Sequence, residues 1–182
     1  MYDIEMHEPT EEFVKCWQAA GSHLQRQVQD GLSWLRAHPM PPFLEHLSFR
    51  LGNQLFFIRI EDVSGHLEVP GSIKGLFAIA DGCKGHACLM PMKKKFLGDQ
   101  WIPDGAGWGL IDARTGTQIS PVELVTDEKI EMTHWELHDF AVQVVRDQLR
   151  KQGYELMSWS GNPGVDPAIW FVGDSKGPEW IV

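Results

Sequence analysis

The stretch that decides the fold of the C-terminal third is THWELHDFAVQVVRDQLRKQGYELMSWSGNPGVDPAIWFVGDSKGPEWIV, residues 133–182. Thr133 and Glu136 have the spacing of a capping box, which predicts that a helix begins here. Gly153 lies where a helix C-terminal cap belongs. Apolar runs and turn residues then alternate, as in a strand meander. The expected strands are 154–159, 168–172 and 179–182.

The predicted helix has an apolar face and a polar face. Apolar residues recur at spacings of three and four, which is typical of an amphipathic helix whose apolar side packs on a core. We expect Trp135, Trp159 and Trp180 to fill the core of the same region. The predicted apolar face consists of Leu137, Phe140, Ala141, Val144, Val145 and Leu149.

In residues 46–130, which precede this segment, apolar and polar residues alternate with the two-residue period of β-strands. Residues 47–51 alternate apolar and polar side chains, Gly52 and Asn53 can form a two-residue turn, and residues 54–61 continue as a strand. We therefore expect a β-hairpin here, within an antiparallel sheet. Further strands are expected at 76–80, 86–90, 108–112 and 117–120.

The N-terminal region, 1–45, is predicted to be helical. Residues 10–37 favour two helical pieces, with Gly21 interrupting and a second capping pattern at Ser22 restarting the helix. The fold class is therefore α+β: N-terminal helices, an antiparallel β-sheet in the middle, and a C-terminal helix followed by a three-strand meander. We expect residues 1–182 to form one compact unit with sub-regions 1–45, 46–130 and 131–182.

Composition excludes several classes of protein. The 182 residues are 43% hydrophobic and 23% charged, which is the mix of a globular protein and not of a disordered chain. The sequence lacks the long apolar run that a membrane helix needs, and its acidic start does not resemble an export signal. Three cysteines are too few for a disulfide scaffold, so we expect a cytoplasmic protein with no membrane association.

The net charge of the chain indicates which classes of partner are favoured. The formal net charge is −9 at pH 7, and the basic run is limited to Lys93–Lys95. Nucleic-acid binding depends on neutralising several phosphates, so nucleic acid is disfavoured as a partner. A basic protein partner fits this charge better.

Three acids carry a resemblance to a known family. Glu136 lies on the predicted helix, Asp166 precedes the second strand, and Glu179 lies on the third. In this arrangement residues 133–182 resemble the first half of the restriction-endonuclease-like PD-(D/E)xK core. The resemblance implies that the strand acids hold Mg²⁺ and that a lysine two residues after the second acid activates water. Ile181 occupies that lysine's position, so the core is expected to be degenerate.

The same acids also have structural interpretations. Glu136 can cap its own helix, Asp166 before Pro167 can form a turn, and Glu179 can be a solvent-facing strand residue. Both interpretations are open at the level of sequence.

Two further clusters are candidates for binding. Cys83, His86 and Cys88 could bind zinc through sulfur and nitrogen, or could be alternating residues of a strand. Trp101 and Trp108 flank a loop rich in Pro and Gly. They could form a surface that faces a partner or ligand, or could fill the core.

The sequence therefore predicts a non-catalytic, acidic, cytosolic bacterial protein without a cofactor. It would act through protein–protein interaction, in a regulatory or immunity-like role. An open strand edge near Val182 would favour a homodimer. The alternative is a Mg²⁺-dependent phosphodiesterase that uses Glu136, Asp166 and Glu179, with a lysine donated by Lys93–Lys95.

Overall fold

In the computed structural model, the chain divides into two compact units, Met1–Glu131 and Met132–Val182. Helices accompany a seven-stranded mixed sheet and a separate three-stranded antiparallel sheet, so the predicted α+β class is confirmed. The expectation of one compact unit stays a prediction. The structure describes residues 9–29, 32–37, 39, 46–96, 98–129 and 131–182.

The N-terminal unit places helices around the seven-stranded sheet, whose main strand order is β1-β2-β3-β4-β6-β7, with β5 also paired to β4. Its elements are α1 (Glu11–Gln25), β1 (Ser33–Arg36), β2 (Leu47–Leu51), β3 (Gln54–Asp62), α2 (Ile73–Gly82), β4 (His86–Lys94), β5 (Trp101–Pro103), β6 (Leu110–Asp112), β7 (Gln118–Ile119) and α3 (Pro121–Leu124).

Two predicted hairpins are confirmed. Strands β2 and β3 pair antiparallel around a tight turn, where Gly52 has a φ of +57° that favours glycine. Strands β6 and β7 also pair antiparallel. Local turn chemistry decides both hairpins.

The strand predicted at 76–80 is wrong, because this segment belongs to helix α2. The Ser72 hydroxyl accepts a hydrogen bond from the Gly75 amide at 3.0 Å and caps the helix. Leu76 and Ala80, four residues apart, are both buried on one helical face. Because a helix now connects β3 to β4, these strands pair in parallel, and the predicted antiparallel sheet is in fact mixed.

The second helical piece predicted before residue 37 is also wrong. Helix α1 continues through Gly21, and Ser33–Arg36 is a strand paired with β2. The rings of Trp34 and Phe49 meet edge-on across this pair, 5.8 Å apart between centroids. Strand pairing therefore overrides the helical spacing in the sequence. The part of the predicted helical region that covers 1–8 and 40–45 lies outside the described residues.

Aromatic rings form the centre of this unit's core. Phe49 stacks on Phe56 at 5.1 Å and on Trp108 at 6.1 Å, measured between ring centroids. Phe13 and Trp17 of α1 belong to the same buried cluster. Burial of Phe13 and Trp17 in this cluster contributes apolar stabilisation that holds α1 on the sheet.

The C-terminal unit is one helix on three strands, as the sequence predicts. Its elements are α4 (His134–Lys151), β8 (Glu155–Trp159), β9 (Ile169–Val172) and β10 (Pro178–Ile181), and the strands pair antiparallel in the order β10-β9-β8. The predicted capping box is confirmed. Val142 and Leu149 of α4 form a buried cluster with Ile169 and Phe171.

The predicted apolar face of α4 is only partly correct. Leu149 is buried and Val145 packs against the core, but the most buried apolar residue of the helix is Val142, which was not expected. Leu137, Phe140 and Val144 are exposed by 52%, 58% and 52%, and Ala141 is exposed as well. Apolar residues cover more of the helix circumference than the sheet can cover, so one side remains outside. No helix within the described ranges is long and apolar enough to cross a membrane.

His46 is a buried histidine without hydrogen bonds among the described residues. Its ring packs edge-on against Phe57, 5.3 Å between centroids. Burial, with a smaller contribution from the charge of Arg36, lowers the pKa of His46 to about 3. The folded protein therefore holds this imidazole neutral.

We predict that the free energy of unfolding decreases below the ordinary histidine pKa, about 6.5. Below that pH the unfolded chain binds a proton that folded His46 does not, so stability falls by up to about 1.4 kcal/mol per pH unit toward pH 3. Urea unfolding at pH 7 and pH 5 should show a loss of about 2 kcal/mol at this site, and His46→Leu should remove it. His66→Gln, at an exposed histidine, is the control. Equal pH dependence in wild type and His46→Leu would contradict the assignment.

We also predict opposite effects of alanine at two glycines. A Cβ at Gly21 of α1 would meet nothing within 4 Å, so Gly21→Ala should stabilise by about 0.5–1 kcal/mol. A Cβ at Gly52 would lie 2.5 Å from Val125 Cγ1, at a left-handed φ, so Gly52→Ala should destabilise by about 2 kcal/mol or more. Chemical denaturation measures both. Destabilisation by Gly21→Ala would indicate that α1 breaks there.

Candidate protein-interaction surface

The three acids of the nuclease resemblance do not form a cluster. Within the described ranges, no three His, Cys, Asp or Glu side chains are placed so that they could hold a metal ion. The position of each acid shows what it does instead.

Glu136 uses its carboxylate in the capping box of α4. Its Oε2 accepts a hydrogen bond from the Thr133 amide at 2.9 Å, and the Glu136 amide donates to the Thr133 hydroxyl at 3.3 Å. The residue is buried at this helix end. The structural interpretation of Glu136 is the one that its contacts support.

Asp166 and Glu179 lie at different levels of the β9–β10 ladder. Asp166 is exposed in the turn that precedes β9, whereas Glu179 pairs with Phe171 near the other end of that strand. The Glu179 carboxylate accepts a hydrogen bond from the Ser175 hydroxyl at 3.0 Å. It also lies over Gly173, where a Cβ would collide with it. Glu179 thus stabilises the turn between β9 and β10.

The cysteine and histidine cluster is divided between two elements. Cys83 caps the end of α2, and His86 and Cys88 lie on β4. Burial, with a smaller contribution from Asp112, raises the pKa of the Cys88 thiol to about 12. In the part of the chain that the structure describes, these three residues do not belong to any group of three or more His, Cys, Asp or Glu side chains that could hold a metal ion. The contacts favour the interpretation of Cys88 as a buried strand residue.

The basic run pairs with neighbouring polar groups. Glu12 of α1 accepts hydrogen bonds from Lys94 and from the Trp101 indole, which lower the pKa of Glu12 below its usual value. The positive charge of the run is therefore offset locally. The pairs are Lys93–Asp104 at 2.6 Å, Lys94–Glu12 at 2.9 Å and Lys95–Gln100 at 3.0 Å.

Trp101 and Trp108 lie in the core, and their contacts support the core interpretation of this pair. Each is only 7% exposed and belongs to the core cluster of the N-terminal unit. The Trp101 Nε1 donates to Glu12 at 2.5 Å, and Trp108 stacks on Phe49. The physical reason is that a buried indole gains both apolar burial and a hydrogen bond for its N–H.

A different tryptophan pair lies on the surface of the C-terminal unit. Trp170 of β9 and Trp180 of β10 are directly opposite each other, with ring centroids 5.4 Å apart, on the side of the sheet away from α4. Trp180 is 58% exposed, which corrects the expectation that it fills the core. We call this outward side the tryptophan face; by strand register it includes Glu155, Ser158, Trp170, Val172, Pro178 and Trp180.

Sequence reasoning missed this face although it contained the signal. Strand residues alternate between the two sides of a sheet, and Ile169 and Phe171 are the residues that pack on α4. Trp170 must then point the other way. The turn of residues 173–177 fixes the register that brings Trp180 opposite Trp170. The decisive information was therefore the register of two strands, not the composition.

Comparison with known proteins identifies a similarity for this part of the chain. Residues 135–182 are similar to a family described as a domain of unknown function (DUF8840). The match covers less than half of the chain and falls entirely within the C-terminal unit. No curated protein and no solved structure matches the chain. The similarity marks this unit as one that other proteins share, without assigning it an activity.

We predict that Mg²⁺ or Mn²⁺ does not stabilise the protein. A ligand that binds only the folded state must raise the unfolding temperature, and about 5 mM metal after EDTA treatment should shift it by less than about 1 °C. Thermal unfolding followed by circular dichroism measures this. A saturable rise that Asp166→Asn or Glu179→Gln abolishes would contradict this prediction and support the phosphodiesterase alternative.

Proposed function

We propose that the protein is non-catalytic and acts by binding another protein through the tryptophan face. The observation that carries this proposal is the pair of adjacent indole rings on the outward side of the sheet, with Trp180 more than half exposed. Tryptophan is strongly enriched among the residues that dominate binding energy at protein interfaces. The contact between the two rings stabilises the strand pair, but α4 packs on the other side of the sheet and leaves most of the Trp180 ring exposed to water.

The chemistry of this face favours a partner that presents arginine or lysine. The indole face attracts cations, and Glu155 lies on the same side of the sheet, two strand positions from Trp170. The chain as a whole carries a formal charge of −9. A positively charged partner would therefore be steered toward the protein and would find both an aromatic and an acidic contact.

The unit already uses the same interaction internally. Arg146 and Arg150 of α4 lie over the ring of Trp159 at 5.5 Å and 5.1 Å from its centroid. Trp159 lies on the inner side of the sheet, so these arginines are not part of the tryptophan face. An indole of this unit therefore already accommodates guanidinium groups over its ring.

The finer expectations stay predictions. A regulatory or immunity-like role in the bacterial cytosol, on a degenerate PD-(D/E)xK core, receives no specific support from the contacts described above. The Mg²⁺-dependent phosphodiesterase is likewise not favoured by any particular observation. Binding through the tryptophan face does not depend on either.

The proposal predicts how a cationic peptide binds. The full chain is titrated with a fluorescent nona-arginine peptide, and nona-glutamate serves as the peptide control. Trp180→Ser should weaken binding of nona-arginine by about two- to fivefold, because an exposed cation–π contact contributes about 0.5–1 kcal/mol. Fluorescence anisotropy measures the dissociation constants.

Phe96→Ser is the matched control, since Phe96 is a fully exposed aromatic residue of the N-terminal unit. It should bind nona-arginine like the wild type. If Trp180→Ser also bound like the wild type, the charge of the chain alone would account for binding and the proposal would be overturned.

A further inference from the structure

A groove of about 740 Å³ in the N-terminal unit lies between helix α1 and strand β1. Small-molecule sites in proteins have volumes of about 300–1,000 Å³, so the groove has the size of such a site. Among the described residues, its walls come from α1 and its C-cap, between Trp17 and Arg26, and from the chain between Trp34 and Ala37. The proposed function does not use this groove, because the tryptophan face belongs to the other unit.

Two tryptophan side chains tie the helix to the strand segment at the two ends of the groove. Trp17 Nε1 donates a hydrogen bond to the Ala37 carbonyl at 3.0 Å, and Trp34 Nε1 donates to Gln25 Oε1 at 2.6 Å. Each ring also packs against a phenylalanine of the core, which holds it in place. Because both indole N–H groups are already used, the two rings offer a ligand their apolar surfaces.

Between these two ties, Gly21 leaves the wall of the groove without a side chain. Trp17, Gly21 and Gln25 follow the spacing i, i+4 and i+8, so they lie in one row that is about 12 Å long. A Cβ at Gly21 would meet nothing within 4 Å, so packing does not require glycine here, and glycine weakens a helix relative to alanine. The gap lets one flat ring system lie against the helix backbone.

A second row along the same helix supplies polar groups. Gln18, Ser22 and Arg26 also line the groove and also follow the spacing i, i+4 and i+8. Within the described residues, no acid pairs with the Arg26 guanidinium. Its full positive charge exceeds the partial negative charge of the helix C-terminus, about half an elementary charge. This end of the groove therefore favours an anionic group.

We propose that the groove binds a small molecule that consists of a flat aromatic ring system with one carboxylate. The ring system lies against Gly21, between the apolar surfaces of Trp17 and Trp34, and the carboxylate reaches the Arg26 guanidinium. Aromatic rings gain more from contact with indoles than their buried area alone provides. A neutral ring system would leave the guanidinium without a partner, so the acid is the favoured ligand.

Isothermal titration calorimetry of the full chain tests the class of ligand. The probe is 2-naphthoate, and 2-naphthamide is its neutral analogue of nearly the same shape. The wild type should bind one 2-naphthoate with a dissociation constant of roughly 10 µM to 1 mM, as expected for a ligand of this size. The amide should bind at least about threefold more weakly, because an exposed ion pair contributes modestly.

Two variants test the place of binding. Gly21→Leu fills the gap and should weaken binding of 2-naphthoate at least about tenfold, while the open space at the Cβ and the helix propensity of leucine preserve α1. Arg26→Gln should remove the preference for 2-naphthoate over 2-naphthamide. Lys15→Gln is the matched control, because it makes the same charge change at an exposed residue of the same helix outside the groove, and it should keep the preference.

Four results would overturn the proposal: no binding of 2-naphthoate to the wild type, equal binding of the acid and the amide, undiminished binding by Gly21→Leu, or equal effects of Arg26→Gln and Lys15→Gln. Arg26 is exposed, so its variant decides the question even if Gly21→Leu disturbs the helix. Trp180→Ser should bind 2-naphthoate like the wild type, and loss of binding in that variant would place the probe on the tryptophan face instead. Failure of this inference and failure of the proposed function can therefore be distinguished.

Discussion

A single helix on a three-stranded sheet can bury only one side of each layer, and this constraint governs the C-terminal unit. Val142 and Leu149 meet Ile169 and Phe171 in the space between the layers. Apolar residues on the remaining sides have no place inside so small a unit. The two surfaces that result are the tryptophan face and the exposed side of α4 that carries Leu137, Phe140, Ala141 and Val144, and both are more apolar than folding requires.

The polar groups, in contrast, are largely engaged in maintaining the fold. Glu136 completes a capping box, Glu179 accepts from Ser175 in a turn, and Lys94 pairs with Glu12. Asp62 shows the same use in the N-terminal unit: although partial burial raises its pKa, hydrogen bonds from Ser64, Leu67 and His66 lower it overall. These charged residues have structural roles. The exposed apolar surfaces do not, so they are the better candidates for a binding function.

Local chemistry made part of this structure predictable from sequence. The capping box at Thr133 and the turn at Gly52 each follow from residues close together in the chain, and both are confirmed. Helix α2 and strand β1 were not predictable in the same way. Leu76 and Ala80 suit a short strand or a helical face equally, and the pairing of Trp34 with Phe49 depends on a strand that is distant in sequence.

The candidate surfaces failed to emerge from sequence for a related reason. Helix α4 is apolar on more than one side, so spacing alone cannot show which side the sheet covers. Composition counts the tryptophans but does not place them: Trp101 and Trp108 are buried, whereas Trp180 is exposed by the register of β10. Packing of complete helices and strands decides both which side of a helix is buried and which register two strands adopt.

The most direct test of the account is hydroxyl-radical footprinting of the dilute, monomeric chain by mass spectrometry. The account predicts that Phe140 and Trp180 are oxidised at rates approaching that of the fully exposed Phe96, while Trp101 and Trp108 are protected. Protection of Phe140 and Trp180 to the level of Trp101 in the monomer would show that these residues are already covered, and would contradict the claim that they are free to bind a partner.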